Sequence, residues 1–310
     1  MSLDRMIERI AELQNPTVAG LDPKLSYIPE YIREKAVKEH GKTLEAAAAA
    51  VLEYNKGLID ALCGIVPAVK PQAAYYEAFG WQGMKTLQET IAYAREKGMF
   101  VITDGKRNDI GTTMEAYAAA HLGTTEVEGE TFTPFGADAL TVNGYLGTDG
   151  IAPVVKVCRE KDAGMFVLVK TSNPSSGELQ DRVLDDGLTV YRTMGDRCEE
   201  WGKELPGKYG YSGVGAVVGA TYPKQLGELR AALPHTFFLV PGYGAQGGGA
   251  KDVAPAFDEK GLGAIVNASR SILCAWQKTG AAQEDFAKVA AAEAIRMRDD
   301  ILSEVGGIRL

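Results

Sequence analysis

Eight short apolar runs recur along the chain, and longer stretches of helical character separate them. They begin at Thr17 (TVAGLD), Pro67 (PAVKPQ), Phe100 (FVITDGK), Asp138 (DALTVN), Gly164 (GMFVLVKTS), Gly215 (GAVVGAT), Thr236 (TFFLVPG) and Gly263 (GAIVNAS). Helical patterning occupies 44–63, 82–97, 113–122, 185–202 and 223–232, and it closes the chain at 284–304. Runs that are apolar throughout, with no polar alternation, read as strands buried on both faces, which is the pattern of a parallel sheet covered by helices. Eight such units in about 250 residues match a closed (β/α)8 TIM barrel. An open doubly wound sheet would bring a Gly-x-Gly-x-x-Gly turn after its first strand, and the sequence has none there. No linker or composition break interrupts 1–310, so one barrel domain is expected, with an N-terminal helical extension over about 1–16. The polar, acidic stretch 123–136 reads as a surface insertion.

Composition narrows the functional classes. Of 310 residues, 45% are apolar and 24% charged, and no apolar run approaches the ~18 residues of a membrane span. The N-terminus is amphipathic and lacks the apolar core of a secretory signal, so a cytoplasmic location is expected. Cys63, Cys158, Cys198 and Cys274 are scattered and read as small buried hydrophobes. His40, His121 and His235 have no ligand-like spacing, and no metal site is expected. A net charge of -8 argues against a nucleic-acid surface, while a locally positive pocket for a small anion remains compatible with it.

In this architecture chemistry sits at the carboxyl ends of the strands. Those ends supply Asp22, Lys70, Asp104 with Lys106, Asn143, Ser172, Thr221, residues 242–246 and residues 267–270. Asp104 and Lys106 are two apart and so share one side of a strand; Asp109 follows beyond it. A charge run such as DGKRND is often only a solvated turn. Its company at other strand ends, Asp22 and Lys70, favours a site. The next helix is expected to open on a capping box, Thr112-x-x-Glu115. Two stretches suggest an anion site: PGYGAQGGG from Pro241, whose glycines admit close backbone N–H approach, and NASRSI from Asn267, whose Arg270 offers a bidentate fork. They follow the seventh and eighth strands, where such barrels commonly hold phosphate.

Asp104-x-Lys106-x-x-Asp109, preceded by FVIT and followed by Ile110, resembles the orotidine 5'-phosphate decarboxylase family, in its longer microbial subtype. Further anchors are GLDP, VKPQAAYYE, TVNGYLGTD, LVKTSNPSSG, VGAVVGATYP and VPGYGAQGG, running in order from residue 20 to about 272. The resemblance implies loss of carbon dioxide from orotidine 5'-monophosphate without a cofactor. It makes Lys106 the charge that stabilises, and the acid that protonates, a C6 carbanion, within a Lys70–Asp104–Lys106–Asp109 network whose charges cancel. It implies a homodimer with shared sites, Asp109 and Thr113 crossing from the other subunit. Asp22 and Thr113 would touch the ribose, Ser172 the pyrimidine, and Gln246 and Arg270 the 5'-phosphate, with the glycine-rich loop closing on it. Metal-dependent sugar-phosphate relatives share the Asp-x-Lys-x-x-Asp signature. They resemble one another in placing a metal-binding glutamate at the end of the second strand. Lys70 stands there instead, and an ammonium repels a cation. That branch, and a barrel that binds nucleotides without catalysis, are the alternatives.

Overall fold

The computed structural model describes residues 2–244 and 247–310. Ten strands are defined: β1 (Thr17–Leu21), β2 (Ala68–Pro71), β3 (Phe100–Arg107), β4 (Thr125–Val127), β5 (Glu130–Phe132), β6 (Ala139–Val142), β7 (Gly164–Lys170), β8 (Val214–Val218), β9 (Phe238–Pro241) and β10 (Ala264–Ala268). All but β4 and β5 close into one parallel barrel in the order β1-β2-β3-β6-β7-β8-β9-β10, the last strand returning to β1. Closure is visible in the register, since Val18 of β1 pairs with Ala68 on one side and Asn267 on the other. The eight strands fall on the eight apolar runs of the sequence. Among the described residues no helix is long and apolar enough to cross a membrane.

Two apolar layers hold the barrel. Inside it, Val18, Ala68, Phe100, Ile102, Ala139, Phe166, Phe237 and Ile265 form one buried cluster. Fully burying an aromatic such as Phe166 or Phe237 contributes about 2–3 kcal/mol. The helix Ser2–Leu13 adds Leu3, Met6, Ile7 and Ile10 to that cluster, none more than 1% exposed. These positions follow i, i+3, i+4, i+7 spacing, one helical face. That face seals the amino-terminal end of the barrel, with Leu3 against Gly164 at the start of β7. Outside, residues such as Tyr54, Leu58, Leu87, Ile91 and Met297 join the helices to the sheet.

Local departures from the sequence reading have physical causes. The helix expected at 185–202 begins at Val190, because a turn at 184–189 precedes it and the Thr189 hydroxyl caps it by accepting from the Arg192 N–H. The Thr112/Glu115 capping box does not form. The chain stays extended through Ile110, so the helix Gly111–His121 starts before the box, with no side-chain cap. The insertion at 123–136 contains the exposed β4–β5 hairpin, turned by Glu128 and Gly129 at φ +50° and +86°.

Candidate active site

Each inward row of the barrel, followed two residues up its strand, reaches the floor of a cavity of about 750 Å³ at the carboxyl end. Ala68 leads to Lys70, Ile102 to Asp104, Ala139 to Thr141 and Ile265 to Asn267. Phe166 leads to Leu168, and Phe237 to Leu239. The floor is therefore divided, polar and charged over β10, β2, β3 and β6, and apolar over β7, β8 and β9, where Val217 completes it. On β1 the matching position is Gly20, where a Cβ would fall 1.9 Å from Ser269 Oγ, so a side chain there would have to displace Ser269.

Asp104 is the hub. Its Oδ2 accepts from Lys70 Nζ at 2.8 Å and Gln72 Nε2 at 2.9 Å, while its Oδ1 accepts from Lys106 Nζ at 2.6 Å and Thr141 Oγ1 at 2.8 Å. Four donors fill the acceptor capacity of one carboxylate. Burial would raise its pKa, but Lys70 and Lys106 together outweigh burial and hold it well below the usual carboxylate range. Burial likewise acts to lower Lys70, and the opposing charges of Asp104 and Asp22 outweigh it, leaving that ammonium raised. Asp22 Oδ1 stands 4.0 Å from Lys70 Nζ. Within one chain, then, the charges that cancel are Asp22, Lys70, Asp104 and Lys106.

The backbone of Lys106 is unusual. Its φ is +45°, left-handed for a residue with a side chain, and the pairing of β3 with β6 shifts register between Thr103 and Arg107. Such a conformation costs on the order of 1–3 kcal/mol and recurs at functional sites. The Lys106 N–H is held by Thr141 Oγ1 at 2.9 Å, which fixes the bend. In the single chain its side chain is 45% exposed and Lys70 is the buried one, at 5%.

Of the other expected site residues, Asp22, Ser172 and Arg270 line the cavity. Asp109 does not; its Oδ1 accepts from the Ile110 N–H at 2.8 Å. Thr113 is exposed on the helix Gly111–His121 and is not among the lining residues. Gln246 lies outside the described residues. Asn143 caps the turn Gly144–Leu146 through the Tyr145 N–H, and Thr221 Oγ1 donates to the Ser172 carbonyl. In the glycine-rich loop the N–H groups of Gly244, Gly247 and Gly248 bond within the loop itself. Gln72, Thr141 and Gln180 were missed. Thr141 was findable by counting two from Ala139, and Gln72 by counting two from Lys70. Gln180 reaches the cavity only because its loop folds back. Among the described residues no group of three or more His, Cys, Asp or Glu side chains is arranged to hold a metal ion.

A closed parallel barrel with a charged cluster at its carboxyl-end mouth defines a (β/α)8 barrel enzyme. Residues 43–284 match the model of the Orotidine 5'-phosphate decarboxylase / HUMPS family, and the chain belongs to that family. A relative from Rhodopirellula baltica named orotidine 5'-phosphate decarboxylase is 51% identical over 262 residues, 84% of each chain. One of the same name from Clostridium tetani is 39% identical over 305 residues, 98% of this chain and 99% of the other. Among solved structures, the Leishmania donovani OMP decarboxylase superposes with a TM-score of 0.70 at 30% identity, covering 96% of this chain and 98% of that one.

Proposed function

We propose that the chain decarboxylates orotidine 5'-monophosphate to uridine 5'-monophosphate and carbon dioxide, a step of pyrimidine synthesis, using Lys106 as cation and acid. Family membership carries the reaction, and the observation that supports these residues is the saturated Asp104 hub with Lys106 at 2.6 Å. When the bond from C6 to the carboxylate breaks, its electron pair stays on C6 and carbon dioxide leaves. The Lys106 ammonium faces that developing charge and then gives C6 a proton, and solvent restores the ammonium. Charge fixed in place before the reaction is usually the largest contribution to such catalysis. The strained backbone of Lys106 and the four bonds to Asp104 supply the fixing. Asp22 is poised for the ribose and Ser172 for the pyrimidine, with Arg270 taking the phosphate at the mouth.

Asp109 and Thr113 fit a site shared between two copies. Both lie outside their own chain's cavity lining; Asp109 precedes exposed Ile110 (51%), and its carbonyl packs at Gly150 beside exposed Leu146 (44%). An apolar patch of that kind marks an interaction surface. A second subunit seated there would bury Lys106 further and complete the acid pair around it. The metal-dependent alternative needs a cation beside Lys70, whose ammonium already engages Asp104. The test is ultraviolet assay of orotidine 5'-monophosphate turnover in excess chelator. Undiminished turnover is expected; loss on chelation, with recovery on adding a divalent metal, would refute the assignment.

A further inference from the structure

Lys170 ends β7 fully buried and charged, yet it lies outside the cavity lining. Two steps beyond Leu168 it should join the inward row. The pairing with β8 slips there, Leu168 facing Val217 and Lys170 facing Val218. A bulge of this kind re-aims a side chain. Lys170 Nζ donates to Asp181 Oδ1 at 2.6 Å and Ser176 Oγ at 3.1 Å. It also lies 4.3 Å from the ring centre of Tyr222 and 5.6 Å from that of Tyr191. Desolvating an ammonium costs several kcal/mol, whereas an apolar residue could fill the space without that penalty. Packing alone does not account for it.

Its partners point to its role. Ser176 and Asp181 belong to 171–182, which leaves the barrel mouth and returns. Where it returns, the Thr171 N–H donates to Gln180 Oε1 at 2.9 Å, and Gln180 Nε2 donates to Thr171 Oγ1 at 2.7 Å. Tyr222 OH donates to the Asn173 carbonyl at 3.2 Å. Thr171, Ser172, Asn173 and Gln180 all line the cavity, on its apolar side. We infer that Lys170 is a positioning residue for the base: its ammonium is the post around which 171–182 folds, and so it sets the wall that receives the pyrimidine. The inference rests on the nucleotide reading above.

The experiment compares Lys170→Met with wild type by calorimetric titration of uridine 5'-monophosphate and of ribose 5-phosphate, which lacks the base. The variant should bind the nucleotide at least tenfold more weakly and ribose 5-phosphate within twofold of wild type, with KM for the substrate rising more than kcat falls. Equal weakening of both ligands, or unchanged nucleotide binding, overturns the inference. Should Lys170→Met fail to fold, Asp181→Asn removes the partner charge from the exposed side and is read in the same way. Failure of wild type to bind uridine 5'-monophosphate would refute the nucleotide reading itself, and the two failures are thus distinguishable.

Discussion

Lys70 and Asp104 are buried at the centre of the floor, so neither charge tolerates loss of the other. Breaking a buried pair costs about 3–5 kcal/mol, an upper bound here because Asp104 keeps Lys106 at 2.6 Å. Lys70→Met should therefore lower the unfolding free energy by up to that amount at pH 7, as read from urea titrations. Lys70→Met/Asp104→Leu should recover most of it while remaining inactive; a double variant as unstable as the single one would count against a charge origin. Because Asp104 is depressed in the folded state, its stabilising contribution is present above the usual carboxylate pKa of 3.8 and is lost as pH falls below that. The gap between wild type and Lys70→Met should narrow accordingly in acid. The pairing of Asp104 with Lys106 was legible from their spacing of two. The left-handed turn at Lys106 was not, because it depends on where β3 slips against β6, a choice made between strands distant in sequence.

At the level of single elements, the helix Gly111–His121 carries a charge-sensitive end. His121 is 3% exposed, stacked on Phe135 with centroids 5.1 Å apart, and its Nδ1 is without a partner among the described residues. A cation at a helix carboxyl terminus is normally favoured. Here burial, reinforced by Arg107, pushes the imidazole down from 6.5 to about 4. The native state keeps it neutral while the unfolded chain takes up a proton, so stability is complete above pH 6.5 and falls as pH drops toward 4. The loss is about 3 kcal/mol over that window, at 1.36 kcal/mol per pKa unit. His121→Leu should flatten that part of the stability–pH curve; an unchanged slope in urea midpoints between pH 7 and 4.5 would refute it. Elements were the most legible scale. Continuous apolar runs leave little choice but buried parallel strands, whereas helix starts were misplaced where a turn or an extended residue preceded them. The hairpin at β4–β5 escaped because three-residue strands barely register in a pattern.

For the molecule as a whole, the distribution of Asp109 and Thr113 outside their own cavity predicts complementation between subunits. Asp109→Ala and Lys106→Ala should each lose at least ~10²-fold in kcat, the scale of removing preorganised charge. Mixed after unfolding and refolding together, they should regain up to about a quarter of wild-type activity, since half of the dimers are hybrid and each hybrid has one intact site. Mixed dimers that form, by mass or tag analysis, yet stay inactive would place both residues in one subunit's site.

The amphipathic helix at the amino terminus has a consequence for traffic. Leu3, Met6, Ile7 and Ile10 stopper the barrel from below, and three phenylalanine rings fill the space above them. A gas molecule released on the floor has no rear exit. Among the described residues the way out of the cavity is upward, through the same mouth that admits the nucleotide, so product and substrate share one doorway.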